Sequence, residues 1–339
     1  MVAQLGFGGI PIQRLTEDEA VTVVKRCLDL GVDFLDTANG YTTSEERIGK
    51  AIAGRRESVV IATKSLSRKP EGVEKHLKLS LERLNVEYID LYQFHGVSDD
   101  NALATVLAPD GPISVVEKAK EAGLVKHIGI TSHQIDVAKK AVMTGRFETI
   151  MFPFNFVASE AADELLPLCR RYDVGFIAMK PLAGGMIPNV RVAIKYLLQF
   201  PDVVILVGIE KTAEVEEIIQ LVAGPAQMTA AELEEMHRLK RELGSRFCHR
   251  CDYCQPCKEG IAISTVLAFP SLMRRSRPEY IFGGPWAQAV EKAAGCTQCG
   301  ECEQRCPYQL PIREMIAEYV RSFRKAKEEY LRQKSPSTG

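Results

Sequence analysis

The first 240 residues alternate between short, almost unbroken apolar runs and longer stretches with helical spacing. The strand-like runs are "VDFLDTA", "VVIATK", "YIDLYQFH", "LVKHIGITS", "TIMFPFN", "VGFIAMK" and "DVVILVGI", with a weaker eighth, "QLGFGG", near the start. They do not alternate apolar with polar residues, which is the pattern of parallel strands covered on both faces. Between them lie amphipathic segments such as "EDEAVTVVKRCLDLG", "GVEKHLKLSLERLN" and "AADELLPLCRRYD". Thr16 with Glu19 three residues later reads as a capping box, and Ser44 ahead of "EERIGKAI" as another helix start. Gly31, Gly123 and Gly145 read as stops. About eight strand–helix units in this length predict an α/β fold, a (β/α)8 TIM barrel. An open doubly wound sheet would want a G-x-G-x-x-G turn after its first strand, and "GFGGIP" does not supply one.

Barrels keep their chemistry at the C-terminal ends of their strands. Asp36 ends one run, Lys64 the next and His95 the one after, while Tyr41 lies in the short loop following Asp36. Singly, each has an ordinary explanation as a cap, a solvated cation or a packing residue. Together they bring four titratable side chains to one rim from three successive units.

The ten cysteines change the picture of the remainder. Cys27 and Cys169 stand alone in helical patterns and read as small buried hydrophobes. The other eight fall between Cys248 and Cys306. "CHRCDYCQPC" places Cys248, Cys251, Cys254 and Cys257 at every third residue. "CTQCGECEQRCP" places Cys296, Cys299, Cys302 and Cys306 in C-x2-C-x2-C-x3-C-P, which resembles the bacterial ferredoxin run for iron–sulfur clusters. In two-cluster ferredoxins the fourth cysteine of each run ligates the other cluster. By that rule one [4Fe–4S] cluster takes Cys248, Cys251, Cys254 and Cys306, and a second takes Cys296, Cys299, Cys302 and Cys257. A single cluster, or zinc in all-thiolate sites, stays open as an alternative. "TVLAFPSLMRRS" and "WAQAVEKAAG" between the runs read as helix. The expected domains are a barrel over 1–243, a small, mainly helical ferredoxin-like iron–sulfur domain over 244–322, and a charged helical tail fraying into disorder over 323–339.

Hydrophobic residues make up 46% of the 339, charged residues 26%, and the formal net charge is −1. Nothing in that balance points to nucleic acid or an acidic membrane as partner. No apolar run approaches the ~18 residues a membrane helix needs, and the N-terminus has no leader pattern. A cytoplasmic protein is expected, a compartment where clustered cysteines serve metals more often than disulfides.

"LGFGGIPI", "FLDTANGYTTSEERIGKAI", "IATKS", "DLYQFHG" and "AMKPLAGGM" resemble the aldo-keto reductase family, in order, from about Leu5 to Glu217. With the cysteine runs, the likeness is to its ferredoxin-fused branch. The resemblance makes Asp36, Tyr41, Lys64 and His95 a catalytic tetrad. In that reading a tyrosine hydroxyl donates the proton that a carbonyl oxygen needs after hydride arrives. A nearby ammonium favours the phenolate, Asp36 holds Lys64 charged, and His95 orients the carbonyl oxygen.

The likeness also implies nucleotide contacts, and here the residues depart from the family. Thr131 and Ser132 stand where the family has Ser-Asn to grip the nicotinamide amide, and Met151 where it has Gln. Glu210 stands near the position of a basic residue for the 2′-phosphate, with Lys211 adjacent, and Ile218 replaces an Asn. Asn155, Lys180 and Gly208, at other strand ends, are assigned to the cofactor with Thr131, Ser132 and Lys211. NADP and NAD both stay open. A flavin, which could mediate between hydride and one-electron chemistry, has no motif here.

The expected function is NAD(P)H-linked interconversion of a small carbonyl and alcohol, with clusters that wire the enzyme to a carrier such as ferredoxin or flavodoxin, or brace the fold. The alternatives are an electron-transfer protein whose barrel docks a flavin or partner, and an iron or redox sensor. "GVSDDNALATVLAPDGPIS", from Gly96 to Ser114, is the longest candidate lid.

Overall fold

A computed structural model describes residues 2–334. Its eight strands are Leu5–Gly8 (β1), Phe34–Asp36 (β2), Val60–Ser65 (β3), Ile89–Phe94 (β4), Val125–Thr131 (β5), Thr149–Pro153 (β6), Gly175–Met179 (β7) and Val203–Gly208 (β8). All neighbours pair in parallel, and β1 closes on β8 through Leu5↔Ile205 and Gly8↔Gly208. The predicted (β/α)8 barrel is what forms.

Successive side chains on a strand point to opposite faces, so every second residue enters the barrel. Phe34, Ala62, Leu91, Met151, Ile177 and Leu206 make one interior apolar layer, each from a different strand. One step of two along β2, β3 and β4 brings Asp36, Lys64 and Gln93 inward above that layer. Gly129 leaves room for Gln93: a Cβ there would lie 2.3 Å from Thr149 Oγ1 and 3.1 Å from Gln93 Cγ.

The helix Glu17–Asp29 opens on the Thr16–Glu19 capping box. Gly31, Gly123 and Gly145 all have positive φ just past helix ends. Ser44 does not cap its helix, Ser44–Ala51. Its hydroxyl donates instead to Gly9 O at 2.9 Å and accepts from Thr37 Oγ1 at 2.9 Å. The expected lid is largely helical. Asp99 caps Asp100–Leu107 by accepting from Ala102 N, and Leu103 and Val106 join the barrel core. The run "NALATVL" has the apolar spacing to fold and anchor itself.

The chain divides into two compact units. The first runs through Ala183 and includes Pro188–Met236; the second comprises Gly184–Ile187 and the residues from His237 onward. The second has its own core, in which Val266, Phe269, Val290, Met315 and Phe323 meet. Its last helix, Ile312–Lys334, buries Ile312, Met315, Ile316, Tyr319, Val320 and Phe323, the spacing of one helical stripe. It passes residue 323 without a break, and the remainder of the expected tail, 335–339, lies outside the described residues. Among the described residues no helix is long and apolar enough to cross a membrane.

Candidate active site and cysteine hollows

Asp36 and Lys64 stand on neighbouring strands at the barrel mouth with 4% and 1% of their side chains exposed. Lys64 Nζ donates to Asp36 Oδ2 and to Thr37 O, both at 2.6 Å. Gln93 Nε2 donates to the other carboxylate oxygen at 3.1 Å. Burial works against the Lys64 ammonium, but the Asp36 carboxylate and the Tyr41 hydroxyl outweigh it and hold its pKa above the ordinary lysine value. Burial pushes the Asp36 carboxyl up while Lys64 and Gln93 pull against it. The site thus contains a fixed ammonium.

Tyr41 is delivered to that ammonium by a braced loop. Asn39 N donates to Lys64 O, Tyr41 N to Ala38 O, and Ser44 N to Tyr41 O. Thr42 takes a positive φ of 39° at the turn, and its hydroxyl donates to Gln13 Oε1. Lys64 Nζ lies 4.9 Å from the Tyr41 ring centroid, near enough for the tyrosine to help keep the ammonium charged. His95 meets the same ring edge to face, centroids 5.6 Å apart. Asp36, Tyr41, Lys64 and His95 therefore converge as the sequence suggested.

Burial, with Lys64 and Arg68 nearby, pushes the His95 imidazole down from 6.5 to about 3. The ring is neutral near pH 7, so it can donate one N–H and keep one lone pair. Its Nδ1 is buried with no hydrogen-bond partner among the described residues, a polar demand of the kind a reacting oxygen can meet. The unfolded chain binds this proton near pH 6.5 and the folded chain only near pH 3. Stability contributed here is therefore present above pH 6.5 and lost as pH falls toward 3. Urea titrations at pH 7, 5.5 and 4.5 should show a decline that a His95→Gln variant flattens; equal declines in both would contradict this.

Two residues at this mouth escaped the sequence reading. Gln93 belongs to the same step of two as Leu91 and His95 in "LYQFH", so the signal was present. Arg68 Nη2 donates to His95 O at 2.7 Å and fastens the loop after β3 to the end of β4; only the fold reveals it.

The six positions assigned to a nucleotide sit at strand ends, but their side chains are differently engaged. Thr131 Oγ1 accepts from Gly96 N at 2.7 Å, and Ser132 Oγ donates to Gln134 O and accepts from its N–H. Asn155 Oδ1 accepts from Val157 N and Ala158 N, and its Nδ2 donates to Lys180 O. These amide atoms shape the loop after β6. Lys180, at φ 58°, brings Nζ to 2.7 Å from His133 Nε2. Gly208 lies against Pro11, where a Cβ would come within 2.8 Å of the ring. Lys211 is exposed at the head of the helix Thr212–Ala223. Glu210 pairs with Arg14. Met151 fills the interior layer.

In the second unit the eight cysteines line two separate hollows. One is bounded by Cys248, Cys251, Cys254 and Cys306, the other by Cys257, Cys296, Cys299 and Cys302. Each takes three cysteines from one run and the fourth from the other, the exchange that the two-cluster ferredoxin rule implies. Both runs turn alike. Arg250 and Asp252 have φ of 62° and 59°, and Gln298 and Gly300, at the same offsets, have 59° and 82°. Alternating left-handed residues gather backbone N–H groups into concavities suited to anions such as iron–sulfur clusters. Four thiols around each hollow fit a cluster that needs four thiolates. Among the described residues no three His, Cys, Asp or Glu side chains gather as they would on a single bare ion.

Comparison with known proteins agrees with both halves. The sequence model of the aldo/keto reductase family matches residues 4–191, and that of a 4Fe-4S dicluster domain matches residues 247–311. The chain is 28% identical over 200 residues to the uncharacterized oxidoreductase YqkF of Bacillus subtilis, covering 55% of this chain and 63% of that protein. The match thus spans less than two thirds of that relative's length. Aldo-keto reductase AKR11C1 from Bacillus halodurans, in its holo form, superposes with a TM-score of 0.61 at 24% identity, covering 70% of this chain and 92% of that one. An aldo/keto reductase from Klebsiella pneumoniae, solved in complex with NADP and acetate, superposes with a TM-score of 0.59 at 20% identity, covering 70% and 92%.

Proposed function

This chain belongs to the aldo/keto reductase family and is an oxidoreductase with a 4Fe-4S dicluster domain, and on that premise we propose that its barrel interconverts a small carbonyl compound and the matching alcohol with a nicotinamide dinucleotide. The observation that carries the proposal is the Lys64 ammonium, held between Asp36 and the Tyr41 hydroxyl beside a neutral His95.

A reduced nicotinamide, when bound, supplies the hydride. This chain's residues do the rest. His95 donates an N–H to the substrate oxygen and fixes its direction. Negative charge gathers on that oxygen in the transition state, where a preorganised donor is worth most. Tyr41 passes its phenolic proton to the oxygen, and Lys64 stabilises the phenolate left behind. Asp36 and Gln93 keep the ammonium in position, so no reorganisation accompanies the transfer. In the oxidising direction the phenolate takes the proton back.

Lys180, Lys211 and the backbone around Ser132 and Gly208 are the positions we assign to the dinucleotide. The Klebsiella protein binds NADP in its solved complex, which favours NADPH as the first donor to test. The carboxylate of Glu210, already paired with Arg14, keeps NADH in the comparison. The substrate's carbonyl is the reducible group. Cys248, Cys251, Cys254 and Cys306 would hold one [4Fe–4S] cluster and Cys257, Cys296, Cys299 and Cys302 a second, and these would supply one-electron exchange with a carrier of the ferredoxin or flavodoxin kind.

The test is an anaerobic preparation of the whole chain, assayed with NADPH and NADH against small aldehydes and ketones. Oxidation of the nicotinamide in step with alcohol formation is expected; its absence with every carbonyl overturns the proposal. The exchanged ligation makes a separate prediction. Cys306→Ser should remove about half the iron and sulfide, and Cys254→Ser should remove the same centre. Different spectral signatures for the two losses would contradict the pairing.

A further inference from the structure

The two cysteine hollows differ in what surrounds them. The hollow of Cys248, Cys251, Cys254 and Cys306 is lined by His249, Leu267, Tyr308, Leu310 and Ile312. Of its non-cysteine lining, His249, Leu267, Leu310 and Ile312 are buried, Asp252 and Tyr308 half-buried and Pro307 exposed, and His249 stacks flat on Tyr308 with ring centroids 3.6 Å apart. Asp252 is close enough to act on Cys248, Cys251 and Cys254, while Arg250 acts on Cys248. The hollow of Cys257, Cys296, Cys299 and Cys302 has the buried Ile261, Ile263 and Ile316 on one side and is rimmed by the exposed residues Lys258, Glu259, Thr297, Glu301 and Arg313. Cys299 is itself exposed, the only one of the eight that is. Arg313 acts on Cys299 and Cys302, and Lys258 on Cys299. Both cations also carry carboxylate partners, Arg313 with Glu303 and Lys258 with Glu301.

Reduction of a cubane bound by four thiolates adds a negative charge to a centre that is already anionic. Burial disfavours the more highly charged form, and water with nearby cations favours it. We infer that the two centres are unequal: the one on Cys257, Cys296, Cys299 and Cys302 faces solvent, is reduced first and meets the outside electron carrier, while the one on Cys248, Cys251, Cys254 and Cys306 is the sheltered, more reducing partner. Each centre takes one electron from an external one-electron reductant, its core passing from the 2+ to the 1+ state, with no proton or bond exchanged. The inference rests on the dicluster reading above.

The experiment is an anaerobic redox titration of the whole chain with dithionite and mediators, followed by electron paramagnetic resonance, with iron and sulfide measured on the same samples. Two resolved one-electron waves are expected. Arg313→Gln should lower the higher wave and leave the lower one, changing the oxidised-to-reduced ratio at fixed potential by a factor of about three to ten. A tenfold change corresponds to about 59 mV for one electron. Asp252→Asn should raise the lower wave and leave the higher one. Lys258→Gln, at an exposed position, repeats the first test if Arg313→Gln fails to fold. Coincident waves at full iron content, waves that shift together, or a lower wave that follows Arg313 would overturn the inference. Iron for one centre only would instead overturn the dicluster reading on which it rests.

Discussion

Lys64→Met should lose both the enzyme and much of the barrel's stability. The ammonium and the Asp36 carboxylate are almost fully withdrawn from water, with 1% and 4% of their side chains exposed and 2.6 Å between their atoms. Removing the cation leaves a buried carboxylate with only Gln93 donating to it among the described side chains. Breaking such a pair from one side costs about 3–5 kcal/mol, a fall in melting temperature of roughly 6–20 °C for a unit of this size. The sign of a second change separates structure from chemistry. Asp36→Asn on the Lys64→Met background removes the stranded charge and should restore part of the stability, by about 1–3 kcal/mol. It should restore no carbonyl reduction, because the group that supports the Tyr41 proton is still missing. Recovery of activity along with stability would mean that Lys64 acts only as scaffold. A Lys64→Met protein as stable as the parent would mean that the pair contributes little to the fold.

The barrel was legible because its strands are continuous apolar runs separated by helices with clear starts and stops. The same regularity brought Asp36, Lys64 and His95 to one rim, since each ends a strand of a closed parallel barrel. Gln93 was readable by the same rule and passed over because an amide in a strand attracts less notice than a titratable group. Other features depended on tertiary contacts. Ser44 carries the signature of a cap, yet its hydroxyl reaches across to Gly9 O and Thr37. The stretch after His95 has the Asp, Gly and Pro content of a loop, yet Leu103 and Val106 found a core to pin a helix against. Arg68 lies in a loop whose path no periodicity describes. The cysteines were the clearest signal, because the two four-cysteine runs resemble those of two-cluster ferredoxins, whose rule joins three thiols of one run to the fourth of the other. Strand ends alone could not say which atoms at Thr131, Ser132 and Asn155 remain for a nucleotide, and much of their hydrogen-bonding capacity goes to their own loops.

Tyr41 carries the centre of the account. Its hydroxyl lies beside the Lys64 ammonium, a cation that favours the phenolate left when the proton is given up. Phenylalanine keeps the ring, its edge contact with His95 and the loop turn, so fold and iron content should stay at the parent level. Loss of a positioned proton donor lowers rates by about 10²–10⁴-fold, which is roughly 2.7–5.4 kcal/mol in the barrier. The decisive measurement is kcat/KM for aldehyde reduction by iron-loaded Tyr41→Phe and parent chains, side by side under anaerobic conditions. The account predicts a fall of at least a hundredfold with unchanged iron and melting temperature. A Tyr41→Phe protein that reduces aldehydes as fast as the parent would contradict it.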